Sequence, residues 1–131
     1  MDPYGLYIHV PFCIRKCGYC SFYSVTGDDQ IRGIFKEALM SELEEKVRDH
    51  RIGTIYAGGG TPTLLSPEFW SEFLARASDI ADASQVREVT IETNPGTVSE
   101  EELFRLRLDG FNRLSIGIQS FHDKVLDTLE R

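Results

Sequence analysis

The chain has 131 residues, of which 41% are hydrophobic, and this is enough for one domain with a buried core. Fourteen basic residues stand against twenty-one acidic ones, so the net charge of −7 argues against nucleic acid or an anionic membrane surface as partners. No apolar run approaches the roughly 20 residues that a transmembrane helix requires. Composition therefore indicates an acidic globular protein without a transmembrane segment.

The first predicted element is a short β-strand at 6–10, an apolar and β-branched run that ends at Pro11. A loop with all three cysteines follows it. After a polar turn, apolar residues recur at helical spacing from Ile31 to Val47, which predicts one buried helix face. An aspartate at 28 or 29 can cap this helix, and we expect it to end near residue 50.

The second predicted strand, at 52–57, runs directly into three glycines at 58–60. Ser66 is then a suitable helix cap, because Pro67 follows it at the first helical position. Aromatic and aliphatic residues continue at helical spacing to residue 80. This segment therefore predicts a second strand and a second helix joined by a glycine-rich loop.

The carboxyl-terminal half repeats the same order of elements. A third strand is predicted at 86–92, and a capping-box sequence at 99–102 begins a third helix. A fourth strand is predicted at about 111–118, and a fourth helix begins near residue 122. This alternation predicts an α/β fold with a parallel sheet and right-handed crossovers, in which ligands bind at the carboxyl ends of the strands.

The three cysteines carry the strongest chemical signal in the sequence. Cys13, Cys17 and Cys20 have the spacing Cys-x-x-x-Cys-x-x-Cys, so their thiolates can surround one soft metal centre. An iron–sulfur cluster fits this count, because three ligands leave one iron free to bind another molecule. Zinc remains an alternative if His9 supplies a fourth ligand, and inert buried thiols are another. Disulfides fit poorly, because three cysteines leave one unpaired.

Four motifs give the chain a resemblance to a known family. They are Tyr7-Ile-His-Val-Pro-Phe-Cys13, Gly58-Gly-Gly-Thr-Pro-Thr63, Glu92-Thr-Asn-Pro95 and Gly110-Phe-Asn-Arg-Leu-Ser-Ile-Gly-Ile-Gln-Ser-Phe121. Together with the cysteine spacing, they resemble the radical S-adenosylmethionine (SAM) superfamily. Within it, they are similar to the branch of oxygen-independent coproporphyrinogen III oxidases and related haem chaperones.

The resemblance implies a fold and a domain assignment. The radical SAM core is a partial parallel (β/α) barrel of about six βα units, and this sequence supplies about four. Residues 1–131 are therefore expected to be the amino-terminal part of such a core, cut short. We expect strand four then to have an unpaired edge, through which two copies of the chain can form a homodimer.

The resemblance also implies two cofactors, a 4Fe-4S cluster on the three cysteines and SAM on its free iron. The residues expected at SAM are Tyr7, Tyr19, Gly59, Gly60, Thr61, Glu92, Gln119 and Arg131. The residues alone also permit structural explanations: core aromatics for the tyrosines, a tight turn for the glycines and a solvated charge for Glu92. Arg131 is the last residue, so we expect it to be frayed.

Phe22 distinguishes two functions within this branch. The oxidases resemble Cys-x-x-x-Cys-x-x-Cys-x-Cys, whereas this sequence has Phe22 at the last position, as in the haem chaperones. The resemblance thus favours a haem chaperone that binds haem as well as the cluster and SAM, with the oxidase as the alternative. It implies haem or a porphyrinogen as partner, a one-electron reductant of flavodoxin or ferredoxin type, and a cytoplasmic location. A zinc-binding or scaffold module without radical chemistry is the alternative of another class.

Overall fold

Four parallel strands form one sheet in the computed structural model, which describes residues 2–131. The strands are β1 (Tyr4–Val10), β2 (Ile52–Gly59), β3 (Glu88–Thr93) and β4 (Arg113–Ile116). The helices are α1 (Asp29–Val47), α2 (Pro67–Ile80), α3 (Glu100–Asp109) and α4 (Asp123–Thr128), and a short 3₁₀ turn lies at Pro62–Leu64. Strand order in the sheet is β1-β2-β3-β4, so the predicted α/β fold with a parallel sheet is confirmed.

The register of the sheet aligns the carboxyl ends of its strands. Val10 pairs with Gly59 at the ends of β1 and β2, and Thr93 pairs with Ile116 at the ends of β3 and β4. Because all four strands run in the same direction, the loops that follow them begin along the same edge. The cysteine loop and the glycine loop are therefore neighbours in space.

One face of the sheet is apolar and forms the core with the helices. Ile8, Ala57 and Ile91 lie on adjacent strands in this register and are almost completely buried. They belong to the same core cluster as Trp70 and Phe73 of α2. The residues between them face the opposite side, which carries Tyr7, Tyr56 and Glu92. The period of two along each strand thus separates the core from a polar face.

The predicted helix caps are confirmed. The Asp28 carboxylate accepts a hydrogen bond from the Ile31 amide at 2.9 Å, and the Ser66 hydroxyl accepts one from the Phe69 amide at 3.4 Å. The capping box at the start of α3 is complete. These contacts satisfy amide groups that have no partner inside a helix, so each cap defines where its helix begins.

The predicted buried face of α1 is only partly correct. Leu43 and Val47 are buried, but Ile31 is 49% exposed and Ile34 is 62% exposed. The carboxyl-terminal half of the helix packs on the core. In the amino-terminal half, Phe35 packs on Phe12 with ring centroids 5.1 Å apart, while Ile31 and Ile34 stay largely outside the core. Helical spacing predicts which residues share a face, and the neighbouring elements decide how much of that face is covered.

The fourth strand is shorter than predicted. Pairing with β3 ends at Ile116, and the Ile118 amide then donates to the carbonyl of Ile116 at 3.0 Å, which turns the chain out of the sheet. Within residues 2–131, β4 pairs only with β3 and β1 pairs only with β2. In the same part of the chain, no helix has the length and apolar character needed to cross a membrane.

Candidate functional site

Two backbone hydrogen bonds close the cysteine loop at its base. The Cys13 amide donates to the carbonyl of Val25 at 3.0 Å, and the Val25 amide donates to the carbonyl of Pro11 at 2.7 Å. Between these bonds, the Cys20 amide donates to the carbonyl of Cys17 at 3.1 Å and closes a tight turn. All three thiols are free and partly exposed. The loop thus presents three available sulfur ligands from a fixed base.

The glycine loop packs against the backbone that leads into the cysteines. The Gly60 amide donates to the carbonyl of Val10, and the Thr61 amide donates to the carbonyl of Phe12, both at 2.7 Å. A Cβ atom at Gly60 would lie 2.5 Å from the Phe12 carbonyl oxygen, so only glycine fits there. These amides are therefore used within the protein.

Glu92 is held at the end of β3 by two donors. The Tyr56 hydroxyl donates to one carboxylate oxygen at 2.5 Å, and the Gly59 amide donates to the other at 3.1 Å. The hydrogen bond to Glu92 raises the pKa of Tyr56, and partial burial raises it further. Each carboxylate oxygen keeps a lone pair for another donor, so a positioned anion faces the polar side of the sheet.

A second set of contacts joins the loops that follow β2, β3 and β4. The Asn94 amide group donates to the Thr61 hydroxyl at 2.9 Å, and the Arg131 guanidinium donates to the Asn94 side-chain oxygen at 2.9 Å. Arg131 also donates to the carbonyl of Gly117. The expectation that Arg131 is frayed is therefore wrong, because its side chain bridges the loops after β3 and β4.

Most of the predicted site residues meet in one cleft of about 410 Å³. They are Cys13, Cys17, Cys20, Tyr19, Gly59, Gly60, Glu92, Gln119 and Arg131. Thr61 lines an adjoining cavity of about 420 Å³, which it shares with Cys13 and Cys17. Four loops from four strands thus surround a single space.

Tyr7 lies beside this cleft. It lines a groove between β1 and α1, and its hydroxyl hydrogen-bonds Nδ1 of His9 at 3.1 Å. Burial raises the pKa of Tyr7, and the negative charge of Glu92 adds to the effect. Glu92 therefore raises the pKa of Tyr7 as well as that of Tyr56. Tyr7 itself does not line the cleft around the cysteines.

His9 is engaged elsewhere than at the cysteines. Its Nδ1 bonds the Tyr7 hydroxyl, and its Nε2 bonds the carbonyl of Tyr23 at 3.1 Å. Among residues 2–131, no three His, Cys, Asp or Glu side chains are placed to hold a single metal ion. Both ring nitrogens of His9 are therefore used within the protein, so a zinc site completed by His9 would require one of these hydrogen bonds to break.

Gln119 has an unusual backbone conformation. Its φ angle is 67°, in the left-handed region that residues other than glycine seldom adopt. The Ser120 amide donates to the carbonyl of Ile118 at 2.8 Å, which closes the tight turn around Gln119. Strain of this kind often accompanies a functional position. Here the turn brings the amide side chain to the cleft.

Tyr19 adds an aromatic ring to the lining of the cleft. It stands between Cys17 and Cys20 in sequence and lines the cleft with them. Burial raises the pKa of its hydroxyl, and the positive charge of Arg131 acts in the opposite direction. Tyr19 therefore remains a neutral phenol at physiological pH and presents a flat surface on which an adenine could stack.

The donor set fits the cofactors that the sequence resemblance implies. Three free thiols at the edge of an open cleft match a cluster with one iron left available. Glu92 and Gln119 provide polar groups on the other walls. Tyr56 and Asn94 were not among the predicted site residues. The available signal for Tyr56 was its position between the apolar Ile55 and Ala57 in a predicted strand, and the signal for Asn94 was its motif with Glu92.

Comparison with known proteins agrees with these observations. Residues 7–131 match the Radical SAM superfamily. A heme chaperone HemW of Buchnera aphidicola is 36% identical over 100% of this chain, which is 36% of that protein. The heme chaperone HemW of Escherichia coli is 38% identical over 100% of this chain and 36% of its own length. An oxygen-independent coproporphyrinogen III oxidase of Bradyrhizobium diazoefficiens is 33% identical over 97% of this chain and 29% of its own length.

A solved structure supports the fold assignment. Coproporphyrinogen III oxidase of Escherichia coli, described as a radical SAM enzyme, superposes with a TM-score of 0.86 and 29% identity. The superposition covers 98% of this chain and 31% of that one. The chain thus spans about a third of the length of the proteins it matches, and its sheet corresponds to part of a radical SAM barrel. With its cysteine loop and four converging strand ends, the chain belongs to the radical SAM superfamily.

Proposed function

We propose that residues 1–131 form the amino-terminal part of the core of a haem chaperone that binds a 4Fe-4S cluster and SAM. The similar chaperones from Buchnera and Escherichia coli support this choice. So does Phe22, which stands where the oxidase pattern has a further cysteine and lines the cleft. Haem would be bound by the whole protein, of which this chain is about a third.

The observation that carries the proposal is the single cleft shared by Cys13, Cys17, Cys20, Gly59 and Glu92. Thiols alone are compatible with several metals. A cleft that adds a fixed carboxylate and a close-packed glycine loop to three thiols provides for a second, polar ligand beside the metal. A structural metal site does not need such a space, because its ligands close around the ion.

The residues of the chain have separate tasks in this proposal. Cys13, Cys17 and Cys20 would hold the cluster, and Glu92 would accept hydrogen bonds from bound SAM. Tyr19 would stack on the adenine, and Gln119 would contact the amino-acid or ribose groups. When bound and reduced by an external one-electron donor, the cluster would supply the electron for reductive cleavage of the SAM sulfonium.

Anaerobic reconstitution with iron and sulfide tests this assignment. We expect the full-length protein to take up about four irons per chain and to show broad visible absorbance. Cys13→Ala, Cys17→Ala and Cys20→Ala should each lose that absorbance, because three ligands leave none spare. Ser21→Ala, an exposed residue of the same loop, is the matched control and should load normally. Full occupancy in any cysteine variant, or uptake of one zinc instead, would refute the cluster assignment.

An oxygen-independent coproporphyrinogen III oxidase is the second candidate. The relative from Bradyrhizobium and the superposed structure from Escherichia coli both carry this name. In that case, the substrate would be a porphyrinogen and the reaction an oxidative decarboxylation. Both candidates require the same cluster and the same SAM site. An activity assay of the whole protein would distinguish the two candidate functions.

A further inference from the structure

Asn94 occupies a central position between two cysteine ligands. Its side-chain nitrogen donates to the Thr61 hydroxyl at 2.9 Å, and its side-chain oxygen accepts from Arg131 at 2.9 Å. Both ends of the amide are therefore used, and each end contacts a different residue. The sequence reasoning and the proposed function leave Asn94 without a role.

Each of these two partners reaches a cysteine. The Thr61 hydroxyl lies 3.8 Å from the sulfur of Cys13, and the Arg131 guanidinium lies 3.6 Å from the sulfur of Cys17. These separations are within hydrogen-bonding range for sulfur. Because Asn94 donates to the oxygen of Thr61, the single proton of that hydroxyl is free to point at Cys13. Thr61 is only 1% exposed, so water does not compete for this contact.

We propose that Asn94 is a positioning residue that holds two hydrogen-bond donors on the sulfurs of Cys13 and Cys17, and so raises the reduction potential of the cluster. The inference rests on the proposed function, since it requires a cluster on these cysteines. A donor stabilises negative charge on a thiolate, and the reduced cluster carries one more negative charge than the oxidised cluster. Hydrogen bonds to the ligand sulfurs therefore favour the reduced form.

The test measures the midpoint potential of the full-length protein after anaerobic reconstitution. Dithionite titration followed by electron paramagnetic resonance gives the potential without reference to any enzymatic activity. Asn94→Leu keeps the size of the side chain and removes both polar ends. We expect it to shift the one-electron equilibrium about tenfold toward the oxidised cluster, a change of about 59 mV to lower potential.

Two further variants make the test specific. Thr61→Val removes the donor on Cys13, and we expect a lower potential here too. In the double variant, the shift in midpoint potential should be smaller than the sum of the two single shifts, because Asn94 acts on Cys13 through Thr61. Thr63→Val is the matched control, since its hydroxyl lies in the same loop and bonds Thr93 at 2.8 Å. Its potential should equal that of the unmodified protein.

The outcomes separate this inference from the proposed function. An unmodified protein that takes up no cluster would refute the proposed function and, with it, the inference. Loaded Asn94→Leu with an unchanged potential would refute the inference alone. If Asn94→Leu takes up no cluster, Thr61→Val is the deciding variant. An unchanged potential in Thr61→Val would show that the donor on Cys13 has no effect and would refute the inference. An equal shift in Thr63→Val would show a general effect of the loop and would also refute the inference.

Discussion

Glu92 shows how a single charged residue is held ready at the polar face of the sheet. Its two carboxylate oxygens accept from different sources, a phenol on β2 and a backbone amide in the glycine loop. Hydrogen bonds to charged groups are stronger than those between neutral groups. Gly58 contributes by having no side chain, because a Cβ atom there would lie 2.9 Å from a Glu92 oxygen. Residues of β2 thus fix a carboxylate on the neighbouring strand β3.

Removal of the Tyr56 hydroxyl should lower stability. We expect Tyr56→Phe to reduce the free energy of unfolding by about 1 kcal/mol, because Glu92 then loses one donor in a partly buried position. Tyr23→Phe removes a hydroxyl from a ring that is 71% exposed and should change stability by less than about 0.5 kcal/mol. Urea denaturation measures both. Equal stability of the two variants would contradict the role given to Tyr56.

Helix α3 begins with a reciprocal cap at its first turn. Leu106 is its one fully buried residue among those the structure describes. At its start, the Ser99 amide donates to the Glu102 carboxylate at 2.8 Å, and the Glu102 amide donates to the Ser99 hydroxyl at 3.2 Å. The two residues satisfy each other's groups at the helix end. Hydrogen bonds from Ser99 lower the pKa of the Glu102 carboxyl.

Ser99→Ala should therefore destabilise the chain by about 1 kcal/mol at neutral pH. Since the folded pKa of Glu102 is below its ordinary value of 4.5, the stabilisation is complete above that pH. The hydrogen bond from the Ser99 hydroxyl to this carboxylate is lost as the pH falls through the lowered folded value. The difference between Ser99→Ala and the unmodified chain should therefore shrink in acid without disappearing, because the hydroxyl still accepts from the Glu102 amide. Urea denaturation at both pH values measures this. Ser41→Ala, an exposed site inside α1, should cause no such loss at either pH.

Strand β4 leaves one edge of the sheet unpaired in the part of the chain that the structure describes. Its side chains include Ile116, which is 48% exposed, beside backbone groups that face away from β3. We expect the 131-residue chain to form dimers through this edge, and Ile116→Lys to favour the monomer. Light scattering at several concentrations measures both. A stable monomer of the unmodified chain at micromolar concentrations would contradict the prediction.

At the scale of the whole molecule, the sheet gathers loops that are far apart in sequence. The network from Cys17 through Arg131 to Asn94 joins residues after three different strands. The cleft that they border is open, and the chain covers about a third of the length of its relatives. Phe22 is 61% exposed and lines this cleft.

The identity of Phe22 predicts the activity of the full-length protein. We expect it to bind haem, measured by absorbance titration, and to show no decarboxylation of coproporphyrinogen under anaerobic reducing conditions. The oxidase of Escherichia coli serves as the positive control for the second assay. Efficient conversion to protoporphyrinogen would place the protein with the oxidases instead.

The order of elements, the helix caps and the positions of the loops follow from the sequence by itself. Ser66 before Pro67 and Ser99 before Glu102 are local signals, since their hydrogen bonds join residues a few positions apart. The alternation of strand and helix then places every loop after a strand at one edge. The cysteine spacing is also local, and the same reasoning brought Cys13 and Glu92 to one cleft.

Contacts between distant segments were decided by tertiary structure. Asn94 meets Thr61 and Arg131 only because β2, β3 and β4 lie side by side in one register. Likewise, the exposure of Ile34 depends on which elements reach α1, and the end of β4 depends on the turn after Ile116. The spacing of apolar residues in the sequence predicts which residues share a face or an edge. The identity of the partner across that edge is a property of the assembled sheet, since it depends on register and on side-chain reach.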